Sequence, residues 1–320
     1  MKEIGGYFEF EKLIHNEWHD NCVKLNSARN CLRFIMRERK IRKIYLPYFL
    51  CDAFSVACDE DNVKVEYFRI GADFLPIFDQ ELAEDEYLCI VNYYGMLNEN
   101  VLKTLQKRYK NIIVDNTHAF FMNSLPGVDT IYSCRKYFGV PDGAYLATDL
   151  DYDSKKIKKG KSGNRIKHLV GRLEGTASEY YVDFKKAEET FYHENVAQMS
   201  DFTENIMGAI NYDLVRERRK ENIEYLHDQL REYNELDLNV GQMDFMYPLL
   251  NDNAEKIRAA LIDQKVFVPI LWPNVLENEQ NELECKLARN IMPIPIDQRY
   301  DKEDMDYICK IIRSQIDEKN

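Results

Sequence analysis

Within residues 111–148, Asp115, His118 and Lys136 are side chains of the types needed to handle an aldehyde and a heteroaromatic ring. Ile112, Ile113 and Val114 form a β-branched run that ends in Asp115. That pattern places the carboxylate at the C-terminal end of a central strand, where open α/β sheets bind their ligands. After a loop carrying Pro126 and Gly127, a second apolar run over 129–132 leads into Ser133, Cys134, Arg135 and Lys136. Pro141, Asp142 and Gly143 then turn the chain into a third strand-like run over 144–148. A lysine set among such aromatic residues loses hydration, which disfavours its ammonium form and frees the amine to attack an aldehyde.

An acid fixed on a neighbouring strand can hold a ring nitrogen protonated, and pyridoxal phosphate requires that pair of lysine and acid. Taken singly, each residue also has a structural reading: an acid closing a strand, a lysine in water. Their order and spacing carry more. D-x-x-H (Asp115 to His118), then S-x-R-K (Ser133 to Lys136), then P-D-G (Pro141 to Gly143), resembles the DegT/DnrJ/EryC1/StrS family of pyridoxal-phosphate sugar aminotransferases, of the aspartate aminotransferase fold type. The resemblance implies that Lys136 binds the cofactor covalently and that Asp115 pairs with the pyridine nitrogen. It also implies that His118 lies near the ring hydroxyl and that Ser133 contacts the phosphate.

The elements that must position these residues can be followed along the chain. Residues 5–20 are expected to be a lead-in whose aromatic side chains pack on the main body. Ser27 is a candidate N-cap for a helix with Ala28, Cys31, Leu32, Ile35 and Met36 at helical spacing. A helix start of this kind suits a phosphate. The resemblance places the phosphate-binding helix here, which makes Ser27, Ala28 and Arg29 candidate cofactor contacts, although relatives often carry Gly-Thr or Gly-Arg. Strands are expected over 43–47, 64–70 and 87–91, with a loop and helix between the first two. In the family an aromatic after the first of these strands stacks on the cofactor ring; Tyr48 and Phe49 are available, and Cys51 falls near the position some relatives use. Asn92-Tyr93-Tyr94-Gly95 resembles an H-x-Y-G turn with asparagine in place of histidine. A helix over 98–110 returns the chain to the strand ending at Asp115. Such alternation predicts a mainly parallel sheet with helices on both faces.

Residues 151–170 are basic, with Lys155, Lys156, Lys158, Lys159, Lys161, Arg165 and Lys167. They read either as a solvated run or as an attractor for the diphosphate of a nucleotide-linked sugar. Helices are expected over 174–200 and 203–232, then a strand at 245–250, a helix near 253–264 and a further strand over 265–273. Met199 to Phe202 resembles a family motif, and Pro293 to Tyr300 resembles the family's closing P-x-D-Q-R-Y segment, which extends the likeness from about 23 to 312. Arg289 and Arg299 are candidates either for a donor carboxylate or for structural ion pairs.

The chain of 320 residues, 45% hydrophobic and 31% charged, is long enough for a large core. A net charge of −12 argues against a dedicated nucleic-acid binder. Glu3, Glu9, Glu11 and Asp20 argue against a signal peptide, and no apolar run suffices to span a bilayer, so a cytoplasmic protein is expected. The eight cysteines lack any C-x-x-C pair and read as free thiols in a reducing compartment, not as a zinc site. His15 and His19 read as surface residues.

The expectation is an α/β protein of PLP-dependent transferase fold type I, a mainly parallel sheet flanked by helices, with a large PLP-binding domain over 1–212 and a smaller C-terminal α+β domain over 213–320. The expected reaction is amino transfer from an amino acid such as glutamate to a nucleotide-linked keto sugar, in a homodimer. Two alternatives stand beside it. One is a PLP enzyme of other outcome such as a sugar dehydratase, a branch in which histidine replaces the lysine. The other is a non-catalytic relative that binds a sugar nucleotide or a partner.

Overall fold

A computed structural model describes residues 6–14, 16–277 and 281–317. Glu3, Gly5 and His15, on which some sequence expectations rested, lie outside them. The framework is an eight-stranded sheet in the order β1-β8-β7-β6-β5-β2-β3-β4. Its members are β1 (Val23–Leu25), β2 (Lys43–Pro47), β3 (Lys64–Ile70), β4 (Pro76–Ile77), β5 (Glu86–Val91), β6 (Ile112–Asp115), β7 (Asp129–Ser133) and β8 (Ala144–Ala147). The five central strands, β7, β6, β5, β2 and β3, run parallel. β8, β1 and β4 join antiparallel at the margins. Strand order reverses between β2 and β5, and a crevice forms outside the carboxyl ends of the strands at such a reversal.

Burial on both faces explains the near-continuous apolar runs of β5 and β6: Leu88, Cys89, Ile112, Ile113 and Val114 are all buried. The covering helices are α1 (Ala28–Glu38), α2 (Ala53–Glu60) and α3 (Glu99–Tyr109), followed by α4 (Lys167–Glu174), α5 (Tyr181–Glu189) and α6 (Asp201–Met207). Ser27 caps α1 by accepting from the Asn30 N–H, and Asn98 caps α3 by accepting from Val101. Each cap contributes about 1 kcal/mol. The C-terminal part contains α7 (Tyr212–Leu230), β9 (Met246–Leu250), α8 (Ala254–Asp263), α9 (Glu282–Asn290), β10 (Ile291–Pro295) and α10 (Lys302–Asp317), with β9 and β10 paired antiparallel.

Several expectations are corrected. The lead-in packs only in part as expected: Tyr7 and Phe8 are 99% and 97% exposed, whereas Phe10 meets Phe202 at 5.3 Å and Trp18 meets Phe121 at 5.4 Å. His19 is buried, its Nε2 bonded to the Phe120 carbonyl at 2.7 Å and its ring 4.0 Å from that of Tyr132. Residues 174–200 are not one helix: the chain turns after Gly175, and after α5 it runs irregularly through 190–200. The expected helix over 203–232 breaks at 208–211, where Asn211 caps α7 by accepting from Leu214. Residues 265–273 form no strand, since Pro269 and Pro273 remove the donors a ladder would need. In the basic run Arg165 is buried and paired with Glu194 at 2.8 Å, while Lys159 pairs with Asp201 at 3.0 Å and with Glu204.

Candidate active site

Asp115 closes β6, as its β-branched run requires, and is only 6% exposed. Its Oδ1 accepts from the Thr117 N–H at 2.9 Å and from the Thr117 hydroxyl. Burial pushes the carboxyl pKa upward, against the pull of the two Thr117 hydrogen bonds and of the Lys136 charge. Lys136 lies at the end of a single 3-10 turn, 134–136, that follows β7. Solvent reaches its side chain, yet enough protein surrounds the amine that desolvation is the main influence on it, lowering its pKa, with Arg135 adding repulsion. The amine therefore stands within reach of solvent at the carboxyl ends of the strands, with protein packed around it. Asp115, Cys51 and Arg135 act on its charge, and His118 in turn feels it.

His118 is held neutral by burial and by the Lys136 charge. Its ring stacks on Phe245 at 3.9 Å and 16° and faces Trp272 at 5.7 Å, and its Nδ1 accepts from the Tyr94 N–H at 3.4 Å. The Asn92–Gly95 turn approaches so closely that a Cβ on Gly95, where φ is +78°, would lie 3.1 Å from the His118 carbonyl. Glycine meets both demands. Asn92 is a scaffold residue here: its amide spans Asn116 (3.1 Å) and the Leu97 carbonyl, and its oxygen accepts from Leu97.

The sheet brings the two serines to one end. Leu25 pairs with Ala144, and Ala144 pairs with Ser133, so Ser27, two residues past β1, and Ser133 at the end of β7 lie at the same end of the sheet with β8 between them. As at any helix start, the N–H groups of Ala28 and Arg29 have no intrahelical acceptor. They offer, with the helix dipole, a seat for an anion. Arg29 itself turns away to the segment after α5: its guanidinium donates to the Phe191 carbonyl at 2.7 Å and lies over Tyr192. Arg135 and Arg165 flank the Phe191 ring at 4.1 and 4.2 Å, and Arg135 pairs with Glu188.

The two aromatic candidates separate. Phe49 is fully buried against Trp272 and Tyr93 and has no free face, a correction to its candidacy for stacking on a ring. Tyr48 is half-buried and stacks on Tyr67 at 5.1 Å. Cys51, from the same loop, is the residue that senses the Lys136 charge, which works against the upward push of burial on its thiol. Arg299 is tied to Asp297 at 2.6 Å and lies over Tyr300, the structural alternative of the two considered, and Arg289 lies exposed on α9. Thr117, Phe245 and Trp272 were not singled out in the sequence. Only Thr117 could have been, as the neighbour two residues beyond a strand-end aspartate.

No family model matches the chain, and no curated protein matches it. Solved structures do. Over 92% of this chain and 73% of the other, it superposes on NtdA of Bacillus subtilis with bound pyridoxamine phosphate, at 15% identity and a TM-score of 0.67. A Streptococcus pneumoniae protein assigned as a sugar aminotransferase, Spr1654, matches in its pyridoxamine phosphate form at 14% identity and a TM-score of 0.66, over 92% of this chain and 86% of that one. A DegT/DnrJ/EryC1/StrS aminotransferase from Brucella abortus matches at 14% identity and a TM-score of 0.58, over 91% and 85%. The fold is therefore the one these aminotransferases share, as the sequence resemblance implied.

Proposed function

We propose that this chain is a pyridoxal-phosphate aminotransferase that passes an amino group from an amino acid, glutamate in the first instance, to a nucleotide-linked keto sugar. The observation that carries this reading is the placement of Asp115 at the carboxyl end of β6 and of Lys136 on the turn that follows the adjoining parallel strand β7, close enough for each charge to act on the other. The residues fit the cofactor. The α1 start and Ser133 would hold its phosphate, Asp115 would face the ring nitrogen, His118 would lie beside the ring hydroxyl, and Tyr48 or Cys51 would border the ring. When bound, pyridoxal phosphate supplies an aldehyde that links to amines and a ring that takes up electrons.

Against that background the chain's own groups have separate tasks. Lys136, its ammonium disfavoured by burial, holds a lone pair with which to accept a proton and return it at a neighbouring atom. Asp115 has Oδ1 fixed by Thr117, so its geometry is set before any ligand arrives, and a buried carboxylate favours a protonated nitrogen opposite it. The exposed Lys155, Lys156, Lys158 and Lys161 provide a positive field for a diphosphate, screened by salt. The homodimer is supported by apolar side chains left uncovered on the α4–α5 hairpin and its flank, among them Leu173 (88% exposed), Val182 (62%) and Tyr181 (54%). Cytoplasmic residence fits the eight free thiols. We place the division between a cofactor-binding domain and a C-terminal domain at 212/213, the start of α7.

Purified protein supplied with pyridoxal phosphate and glutamate should release 2-oxoglutarate, and a panel of keto-sugar nucleotides should yield one or more aminated products by mass spectrometry. Cofactor binding without 2-oxoglutarate release would replace glutamate as the donor. Release without any aminated sugar would replace the sugar as the acceptor.

A further inference from the structure

Arg219, midway along α7, is 1% exposed, and among the described residues its guanidinium forms no ion pair within 4 Å. Its donors go instead to uncharged oxygens. Nε reaches the Gln298 side-chain oxygen at 2.9 Å, one terminal nitrogen reaches the Asp244 and Phe245 carbonyls at 2.7 and 3.3 Å, and the other reaches the Tyr137 carbonyl at 3.2 Å. The Gln298 amide donates to the same Tyr137 carbonyl at 2.9 Å, and the Tyr137 hydroxyl donates to the Asp244 carboxylate at 2.5 Å. The guanidinium also lies over the Tyr137 ring at 4.5 Å.

Taking a guanidinium out of water costs several kcal/mol, and a methionine of similar volume would fill the space without that cost. The charge brings a rigid planar fork that spans three separate stretches of chain, which a lysine or an apolar side chain cannot do. Two of the stretches adjoin the site, and the third, at Gln298, reaches it through the Tyr137 carbonyl. Tyr137 directly follows Lys136, and Phe245 is the ring stacked on His118. Gln242, three residues earlier, donates to the Met96 carbonyl at 2.7 Å and so ties the same segment to the Asn92–Gly95 turn.

We propose that Arg219 and Gln298 are positioning residues: they clamp the turn that bears Lys136 to the 242–245 segment, and so fix where the lysine amine stands relative to Asp115 and His118. This rests on the aminotransferase reading above. It also gives the closing Pro293–Tyr300 segment a task, since Gln298 belongs to it and holds the backbone one residue from the lysine.

The test uses the full chain with Gln298→Leu, which removes both hydrogen bonds of that side chain, and Arg219→Lys, which keeps the charge but loses the fork. Labelling of Lys136 by acetic anhydride as a function of pH on cofactor-free protein, where its amine is not linked to the cofactor, read by peptide mass spectrometry, reports the lysine's surroundings; kcat and KM are measured on cofactor-loaded protein. In Gln298→Leu the labelling midpoint should move toward that of an ordinary lysine by about half a pH unit or more. The same variant should lose about 10-fold or more in kcat with KM within about 3-fold, as expected when a reacting group is misplaced. Arg219→Lys should show the same changes, larger. An unchanged midpoint with unchanged kcat in folded Gln298→Leu protein, accompanied only by a lower melting temperature, overturns the inference and leaves these residues structural. Gln298→Leu decides the matter if Arg219→Lys does not fold. Failure of the unaltered protein to bind pyridoxal phosphate would overturn the aminotransferase reading instead, with the labelling midpoint still deciding the clamp.

Discussion

Loss of hydration loosens the proton on Lys136 and tightens it on Asp115 and Cys51, so one cleft holds a lysine biased toward amine beside acids biased toward neutrality. A ligand that brings a protonated ring nitrogen would restore to Asp115 the charge partner that burial denies it. The same physics acts at His19, whose pKa burial lowers to about 4 despite the Phe120 carbonyl and Asp20. Between the unfolded value near 6.5 and about 4, the unfolded chain binds a proton that the folded chain refuses. Stability from this residue is therefore present above that window and falls as pH drops through it, by about 1.4 kcal/mol per unit. Asp244, pushed up to about 6 by burial, acts with opposite sign at overlapping pH, so the His19 contribution is best isolated by difference. Urea denaturation at pH 7 and pH 5 should show the unaltered protein losing about 2 kcal/mol more than His19→Phe on acidification. Equal losses would mean the folded ring takes up its proton normally.

At the scale of elements, the Pro141–Gly143 turn does more structural work than its motif suggests. Asp142 accepts from the Ser200 N–H at 3.0 Å, from the Ser200 hydroxyl at 2.7 Å and from Thr203, which fastens the turn after Lys136 to the start of α6. Gly143 has φ +107°, and a Cβ there would meet Thr203 Cγ2 at 2.8 Å. Gly127, at φ +72°, has nothing within 4 Å of such an atom. Gly143→Ala should therefore cost about 2 kcal/mol or more by urea denaturation and Gly127→Ala about 1 kcal/mol; equal costs would show that the contact with α6 is slack. Ala144, the residue after Gly143, is fully buried in β8. The strands around the cleft were legible in the sequence because each is a short apolar run ended by a residue of a different kind, such as Asp115 or Ser133. The α4–α5 hairpin and the irregular chain after it were not legible, because a charged amphipathic pattern does not reveal where a helix stops. Residues 265–273 misled because strand-like composition outweighed two prolines.

At the scale of the whole molecule, the cleft is built from both ends of the chain. The N-terminal sheet supplies Asp115, Lys136 and the α1 start, and the C-terminal part supplies Phe245, Trp272 and the Arg219–Gln298 clamp. Residues of the first group were readable from local pattern. Those of the second act across large separations, 82 residues between Arg219 and Tyr137, and of them only Gln298 lies in a segment the sequence singled out. The architecture concentrates the whole reading on one bond. Pyridoxal phosphate added to the purified protein should give the visible absorbance of a lysine-linked cofactor. Borohydride should then fix that cofactor on the peptide containing Lys136, and Lys136→Ala should give neither result. Absence of the band from the unaltered protein, or recovery of the label on a different lysine, would contradict the assignment of Lys136 as the residue that binds the cofactor.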